Sequence, residues 1–252
     1  MIFKTKGFAV ASVLSSALFF TANTQASVVT GEEADPFESF NRTMFSFNEW
    51  LDEYIARPAA KGYQYVTPQV VDLGITNFFR NLGEVENTAN NIFQLKFEGA
   101  GISVTRFAMN STIGWFGFVD VATDAGIQVR DEDFGQTLGY WGVPNGPYLM
   151  LPVFGPSTVR DGAGRIVDTY TDPTAYSPIK DEVHEDTILA AKVVKVIDQR
   201  ADLIGAEKVV FGEDKYAFVR DAYLQRREYQ VTDGQVDDPF ADSAQDWDDL
   251  PE

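Results

Sequence analysis

The chain has 252 residues, with 38 aspartates and glutamates against 20 lysines and arginines, a formal net charge of −18, one histidine and no cysteine. That charge excludes the basic footprint of a nucleic-acid binder, and the lack of cysteine excludes disulfides, thiolate metal sites and a lipid-modified N-terminal cysteine. With 20 Phe, 10 Tyr and 4 Trp it is aromatic-rich, yet beyond the leader no apolar run reaches the roughly 20 residues of a spanning helix, so any meeting with a membrane is expected on one face.

Residues 1–26 have the plan of an export signal: Lys4 and Lys6, an apolar core from Gly7 to Phe20, and small residues that set cleavage between Ala26 and Ser27. The apolar core is short for an anchor. Loss of the two lysines moves the formal charge from −18 to −20. Residues 27–34 form a polar lead-in.

Asp35 to Arg57 is the best-signalled helix, with Asp35 and Pro36 at its start, Glu38 placed for a capping box, and Pro58 expected to stop it. Phe37, Phe40, Met44, Phe47, Leu51, Tyr54 and Ile55 share one face. Periodicity alone fits a core-facing helix of a soluble bundle somewhat better than a membrane-interface helix. Phe45 lies on the polar side and Trp50 on the border, however, which widens the aromatic surface toward Phe40, Phe45, Phe47 and Trp50 as membrane-interface candidates.

Lys61 to Val66 reads as a connector, and Thr67-Pro68 opens a second helix that Gly83 is expected to end. Helices over 84–97 and 102–113 follow, parted by Gly99 and Gly101. Gly114 to Val119 breaks the rhythm and gathers Trp115, Phe116 and Phe118; a buried bend and a membrane-facing turn both fit, and Trp115 and Phe116 join the interface candidates.

Phe134 to Asp161 is the least generic stretch. Prolines and glycines punctuate Tyr140, Trp141, Tyr148, Leu149, Met150, Leu151 and Phe154, and Pro144 and Pro147 argue against a regular ladder around Asn145-Gly146. The expectation is an irregular apolar loop, either a buried structural loop or the wall or gate of a channel. Helices are predicted over 157–169, over 182–203 with Val183, Ile188, Leu189, Val193, Val196 and Ile197 buried, and over 214–229 with Arg226 and Arg227 near its end. From Thr232 the chain carries eight acidic residues and no basic one, the composition of a disordered acidic tail over 232–252.

Catalytic signatures are missing. The sequence holds no G-x-S-x-G elbow, P-loop or H-E-x-x-H, and Gly162-Ala163-Gly164 lacks the third glycine of a dinucleotide fingerprint. His184, between Glu182 and Glu185, fits a solvated helix face better than a triad. No enzyme, cofactor or metal site is expected.

Several separated motifs carry a resemblance. Asp35-Pro36-Phe37-Glu38-Ser39-Phe40-Asn41-Arg42, Asn77-Phe78-Phe79-Arg80-Asn81-Leu82, Thr105-Arg106-Phe107, Gly117-Phe118-Val119-Asp120, Phe134-Gly135-Gln136-Thr137-Leu138-Gly139, Gly146-Pro147-Tyr148, Arg160-Asp161 and Asp221-Ala222-Tyr223-Leu224-Gln225-Arg226-Arg227 occur in order. Together they resemble the MlaA/VacJ family of Gram-negative outer-membrane proteins. The resemblance implies a mainly α fold: a single ring-like helical domain over 35–231, with amphipathic helices and irregular apolar loops, lying in the inner leaflet of the outer membrane.

It further implies an amphipathic channel that takes misplaced phospholipid from the outer leaflet and passes it to a periplasmic MlaC-like carrier, beside a trimeric porin. On that reading Tyr140, Trp141, Tyr148, Leu149, Met150, Leu151 and Phe154 are the channel or gate candidates. The departure is at the N-terminus, where Ala26-Ser27 stand in place of the lipobox cysteine typical of the family. Outer-membrane attachment on the periplasmic side is then expected to be peripheral. The competing reading is a soluble periplasmic binding or scaffold protein with the same fold, and a third is an exported lipid hydrolase.

Overall fold

The computed structural model describes residues 35–171, 185–204 and 214–234. The signal segment with Ala26 and Ser27, the lead-in, His184 and nearly all of the acidic tail lie outside them. The described chain is mainly helical, as expected, with one two-stranded sheet.

Helix α1 (Glu38–Leu51) and α2 (Arg57–Val66) are one continuous rod joined by a π-turn, Asp52–Ala56. Pro58 therefore does not stop the helix, and residues 61–66 are helical rather than a connector. Proline lacks the N–H and its ring crowds the carbonyl four residues back. A wider turn just before it, in which the Arg57 N–H donates to the Asp52 carbonyl, moves the backbone out of that conflict. Arg200 of α8 (Glu185–Ile204) pins the turn, its Nη2 lying 2.8 Å from Asp52 Oδ2.

The expected capping box also gives way. The helix begins at Glu38 with no side-chain cap, Glu38 pairs with Arg42, and Asp35 instead accepts from Asn41 Nδ2 at 2.7 Å and from the Tyr216 hydroxyl.

Helix α3 (Gln69–Phe93) runs straight through Gly83, and α4 (Phe97–Thr112) contains both Gly99 and Gly101. A helical glycine costs only about 1 kcal/mol, which tertiary contacts override. Those contacts are polar. Asn81, Glu84, Asn87 and Asn91 recur at three- and four-residue steps along the buried stripe of α3, and Gly99, Ser103, Arg106 and Asn110 form the matching stripe of α4. Gly99 is needed because a Cβ there would overlap the Asn91 carboxamide.

After α4 the chain turns with Trp115, Phe116 and Gly117 all at positive φ, enters the short α5 (Val121–Asp124), and reaches α6 (Phe134–Tyr140). The 134–161 region is more regular than predicted. Strand β1 (Tyr148–Leu151) pairs antiparallel with β2 (Gly155–Thr158), Tyr148 opposite Thr158 and Leu151 opposite Gly155. The hairpin turns at Pro152-Val153-Phe154, so Pro144 and Pro147 fall before the ladder and deprive it of no hydrogen bond. Val153 and Gly155 take the positive φ the turn demands.

The free edge of β1 is closed by α1. Asn41 donates to the Tyr148 carbonyl at 3.1 Å and accepts from Met150 N at 2.8 Å; two turns on, Asn48 does the same for the Leu151 carbonyl and Val153 N. Two side-chain amides thus act as a neighbouring strand.

Helix α7 (Val159–Thr171) packs on α6 through Gly164, where a Cβ would sit 2.7 Å from Gly135 Cα. Helix α9 (Lys215–Val231), N-capped by Asp214, lays Tyr216 against Tyr148 and Met150, with Met44, Phe45, Val219, Tyr223 and Leu224 around them. Phe45, read as lying on the polar side of α1, is thus the aromatic that meets the core.

Candidate functional site

The apolar faces that periodicity alone would bury mostly point outward. On α1 and its π-turn, Phe37, Phe40, Phe47, Trp50, Tyr54 and Ile55 are exposed, while the one buried residue of α1 is Asn41. Phe47 stacks on Trp50 and Trp50 leans on Tyr54, with ring centroids 6.2 and 5.9 Å apart, forming an aromatic rung along the rod. On α8, Leu189, Val193 and Val196 are exposed and Asp198 and Ala201 are buried, the reverse of the expectation; nothing is described for the side chains of Val183 and Ile188.

The aromatic side chains of the bend at 114–119 are likewise not buried. Trp115 and Phe116 are 78% and 79% exposed, on a backbone locked by the Gly117 amide on the Asn110 carbonyl and the Val119 amide on the Gly114 carbonyl. Gly117 is pressed against Asn81, whose Cβ would lie 2.7 Å from an added methyl. Among the described residues no helix is long and apolar enough to cross a membrane.

The interior holds the charges. Arg106 and Glu84, 1% and 0% exposed at their side chains, meet at 2.5 Å, and the other end of the guanidinium holds both oxygens of Asp120 at 2.9 and 3.1 Å and the Ile127 carbonyl. Burial pushes the Asp120 carboxyl up, but bonds from Thr123, Asn110 and Arg106 outweigh it and hold it at about 2. Under α2 and α3, Asp198 of α8 accepts from the Tyr63 hydroxyl and Thr76 Oγ1, both at 2.9 Å. Buried charges and amides are tolerated only when paired in this way. Helices with apolar outer faces and a polar seam inside suit a bilayer better than water, where broad exposed apolar surface is costly.

The channel or gate candidates divide. Tyr148 and Met150 point inward from β1 and are sealed in the core, so they present no surface. Leu149 and Leu151, on the other face of the strand, are half-buried. Tyr140 and Trp141 are exposed at the end of α6, with Trp141 Nε1 donating to the Phe93 carbonyl at 3.0 Å, and Phe154 is exposed at the hairpin tip beneath the Arg165 guanidinium. The strand's two-residue alternation splits a set that an irregular loop would have kept together.

A cavity of about 440 Å³ opens between the end of α3 and α6, α7 and α9, with Glu86, Asp133, Asp168, Arg165, Arg226 and Arg227 in its wall. Arg227 bridges Asp133 at 2.6 Å and Asp161 at 2.9 Å, and the Tyr223 hydroxyl donates to Asp161 at 2.7 Å. Burial lowers the Arg227 guanidinium, but those two carboxylates raise it further, and burial raises Asp133 and Asp161, which Arg227 brings below the usual range.

Asp168 accepts from Phe134 N at 3.1 Å and from Glu86; burial and the Asp133 charge push it up to about 6 despite those bonds. The motifs Arg160-Asp161 and Arg226-Arg227 pointed toward this region, whereas Glu86, Arg165 and Asp168 carried no sequence signal. No group of three or more His, Asp or Glu residues able to hold a metal occurs among the described residues.

Comparisons with known proteins place these features. The family model for MlaA lipoprotein matches residues 33–230. The chain is 34% identical over 221 residues, covering 84% of it and 86% of the relative, to the intermembrane phospholipid transport system lipoprotein MlaA of Escherichia coli. The protein of the same name in Haemophilus influenzae is 33% identical over 239 residues, covering 92% and 93%. An uncharacterised protein of Rickettsia typhi is 34% identical over 202 residues, 79% of each chain. A solved structure, from work on the structural basis for maintenance of bacterial outer membrane lipid asymmetry, superposes with a TM-score of 0.66 at 35% identity, covering 78% of this chain and 98% of its own.

Proposed function

The chain belongs to the MlaA lipoprotein family, and on that premise we propose that it moves phospholipid between membranes, taking lipid misplaced in the outer leaflet of the outer membrane and passing it inward to preserve lipid asymmetry. The observation that carries this reading is the inverted arrangement of side chains: Phe47, Trp50, Trp115 and Phe116 outside, Glu84, Arg106, Asn87 and Asn91 inside. Such a body can sit in one leaflet on its apolar belt, its helices held together from within by paired polar groups rather than by an apolar core.

The work is passive transfer, not chemistry. No nucleotide-binding loop is present in the sequence to supply energy, so direction comes from partners, a periplasmic MlaC-like carrier and a trimeric porin. The leader is removed after Ala26, the domain spans 35–231, and the acidic tail is dispensable for its folding. Attachment at the periplasmic face is through the aromatic belt, since no cysteine is present to be acylated. The path for the lipid tails runs past Leu149, Leu151, Tyr140, Trp141 and Phe154, the gate candidates that retain surface.

The test is deletion of the gene and complementation with the full chain. Outer-leaflet phospholipid, measured on intact cells by its accessibility to added phospholipase, should rise on deletion and return to the parental level on complementation. Fractionation of the native chain wholly with soluble periplasm at low and high salt, with no effect of deletion on the outer leaflet, would overturn the reading in favour of a soluble binding protein.

A further inference from the structure

The cavity beside α6 and α7 contains charge of both signs that the fold does not fully neutralise. Arg227 is committed to Asp133 and Asp161. Arg165 and Arg226 line the same space without an ion pair among the described residues; Arg165 reaches only the Phe154 carbonyl, at 3.3 Å, and that residue's ring. One turn further along α7, Asp168 is hydrogen-bonded to Glu86 of α3, so two carboxyl groups share one place with Asp133 close by.

A cation and an anion one helical turn apart, about 5–6 Å between Cβ atoms, match the reach of a two-carbon link between a phosphate and an ammonium. Resting on the phospholipid-transport reading, we propose that this cavity takes the head group of a zwitterionic, primary-amine phospholipid, its phosphate against Arg165 and Arg226 and its ammonium against Asp168 and Glu86.

Three features support this ligand class. The volume of about 440 Å³ falls within the roughly 300–1,000 Å³ of small-molecule sites. A primary ammonium brings three donors to a wall rich in carboxylate oxygens. A quaternary ammonium instead needs an aromatic cage, and Tyr223, the one aromatic in the wall among the described residues, has its hydroxyl engaged by Asp161. Asp168 is raised to about 6 by burial and by Asp133, which reports a negative field that an arriving cation relieves. An anionic head group without an amine would satisfy the arginines and leave that field uncompensated.

The experiment uses the full chain purified in detergent and ligand-observed NMR titration with glycerophosphoethanolamine, glycerophosphocholine, glycerol phosphate and ethanolamine. Because it alone engages both charged walls with matching donors and acceptors, glycerophosphoethanolamine should bind about tenfold or more tighter than the other three. Asp168→Asn, and Arg165→Gln with Arg226→Gln, should each lower that affinity by about tenfold or more on the same basis. Thermal melts run alongside; Asp168→Asn keeps an acceptor for the Phe134 amide, so its loss of binding is expected in a protein at least as stable as the parent.

Equal affinity for glycerol phosphate, unchanged binding in the variants, or no binding at all would overturn the proposal. The deletion and complementation assay separates this failure from a wider one. A wild-type chain that clears outer-leaflet phospholipid without head-group selectivity sinks this inference alone, whereas a chain that clears none sinks the transport reading.

Discussion

Replacing Trp115 and Phe116 together by asparagine should separate membrane affinity from folding. Both residues hold positive φ, 54° and 58°, a conformation that costs an ordinary side chain about 1–2 kcal/mol and that asparagine tolerates better. Their rings make no contact that defines the core, and the turn's hydrogen bonds are made by backbone amides that asparagine retains. The double variant should therefore melt at the parental temperature or above it.

Membrane binding should move the other way. With 78% and 79% of the two residues exposed, and burial of a whole large apolar side chain contributing roughly 1.5–3 kcal/mol, the pair supplies about 2–5 kcal/mol, a factor of about 30 to 4,000 in partitioning. Flotation of the full chain with phosphatidylcholine vesicles across a lipid titration gives the partition coefficient, and circular dichroism gives the melt. A partition coefficient within about threefold of the parent would refute the assignment of the turn to the bilayer. A clear fall in Tm would show that the rings pack in the folded protein.

Three further outcomes follow from the interior. Asp168, raised from 3.8 to about 6, is a carboxyl that the fold prefers protonated; stability should fall as pH rises from about 4 through about 6 and stay lower above it. The groups that set this are Asp133 at the start of α6, Glu86 and Asn90 of α3, and, along the same cavity, Arg165, Arg226 and Arg227. Discounted for the group's partial exposure, the penalty is about 1–2 kcal/mol, so Asp168→Asn should raise the urea midpoint at pH 7 and flatten its pH dependence between 4 and 6. Arg106→Ala leaves the buried Glu84 and the half-buried Asp120 without their cation and should cost about 3–5 kcal/mol, with Arg106→Met plus Glu84→Gln recovering part of it in the same urea titration. Gly164→Ala drives a methyl into the Gly135 backbone and should lower stability by about 1–3 kcal/mol or more, read as a lower Tm, while Gly83→Ala, in open space, should leave Tm unchanged or raise it.

Helix content and the family were legible in the residues, because 3.6-residue periodicity acts locally and the motifs are short and separated. The motifs themselves proved to be the buried links: Asn41 on the edge of β1, Asn81 against Gly117, Arg106 on Asp120, Gly135 on Gly164, and Arg227 on Asp161. Local signals failed where a distant partner decided the outcome. Pro58 could be carried through a helix because a π-turn precedes it and Arg200 holds that turn; Gly83 and Gly99 stayed helical because the polar stripes of α3 and α4 lock together; and β1 formed because Asn41 and Asn48 complete its free edge.

Which face of each helix points inward was the other matter reserved for tertiary structure. An amphipathic pattern states only that two faces differ. A soluble interior takes the apolar face, whereas here the matched amides and ion pairs of neighbouring helices took the interior and left Phe47, Trp50, Leu189 and Val193 outside. The cavity depended on the same level of organisation, since Glu86, Asp168, Arg165 and Arg226 come from three separate helices and acquire a joint chemistry only once those helices meet.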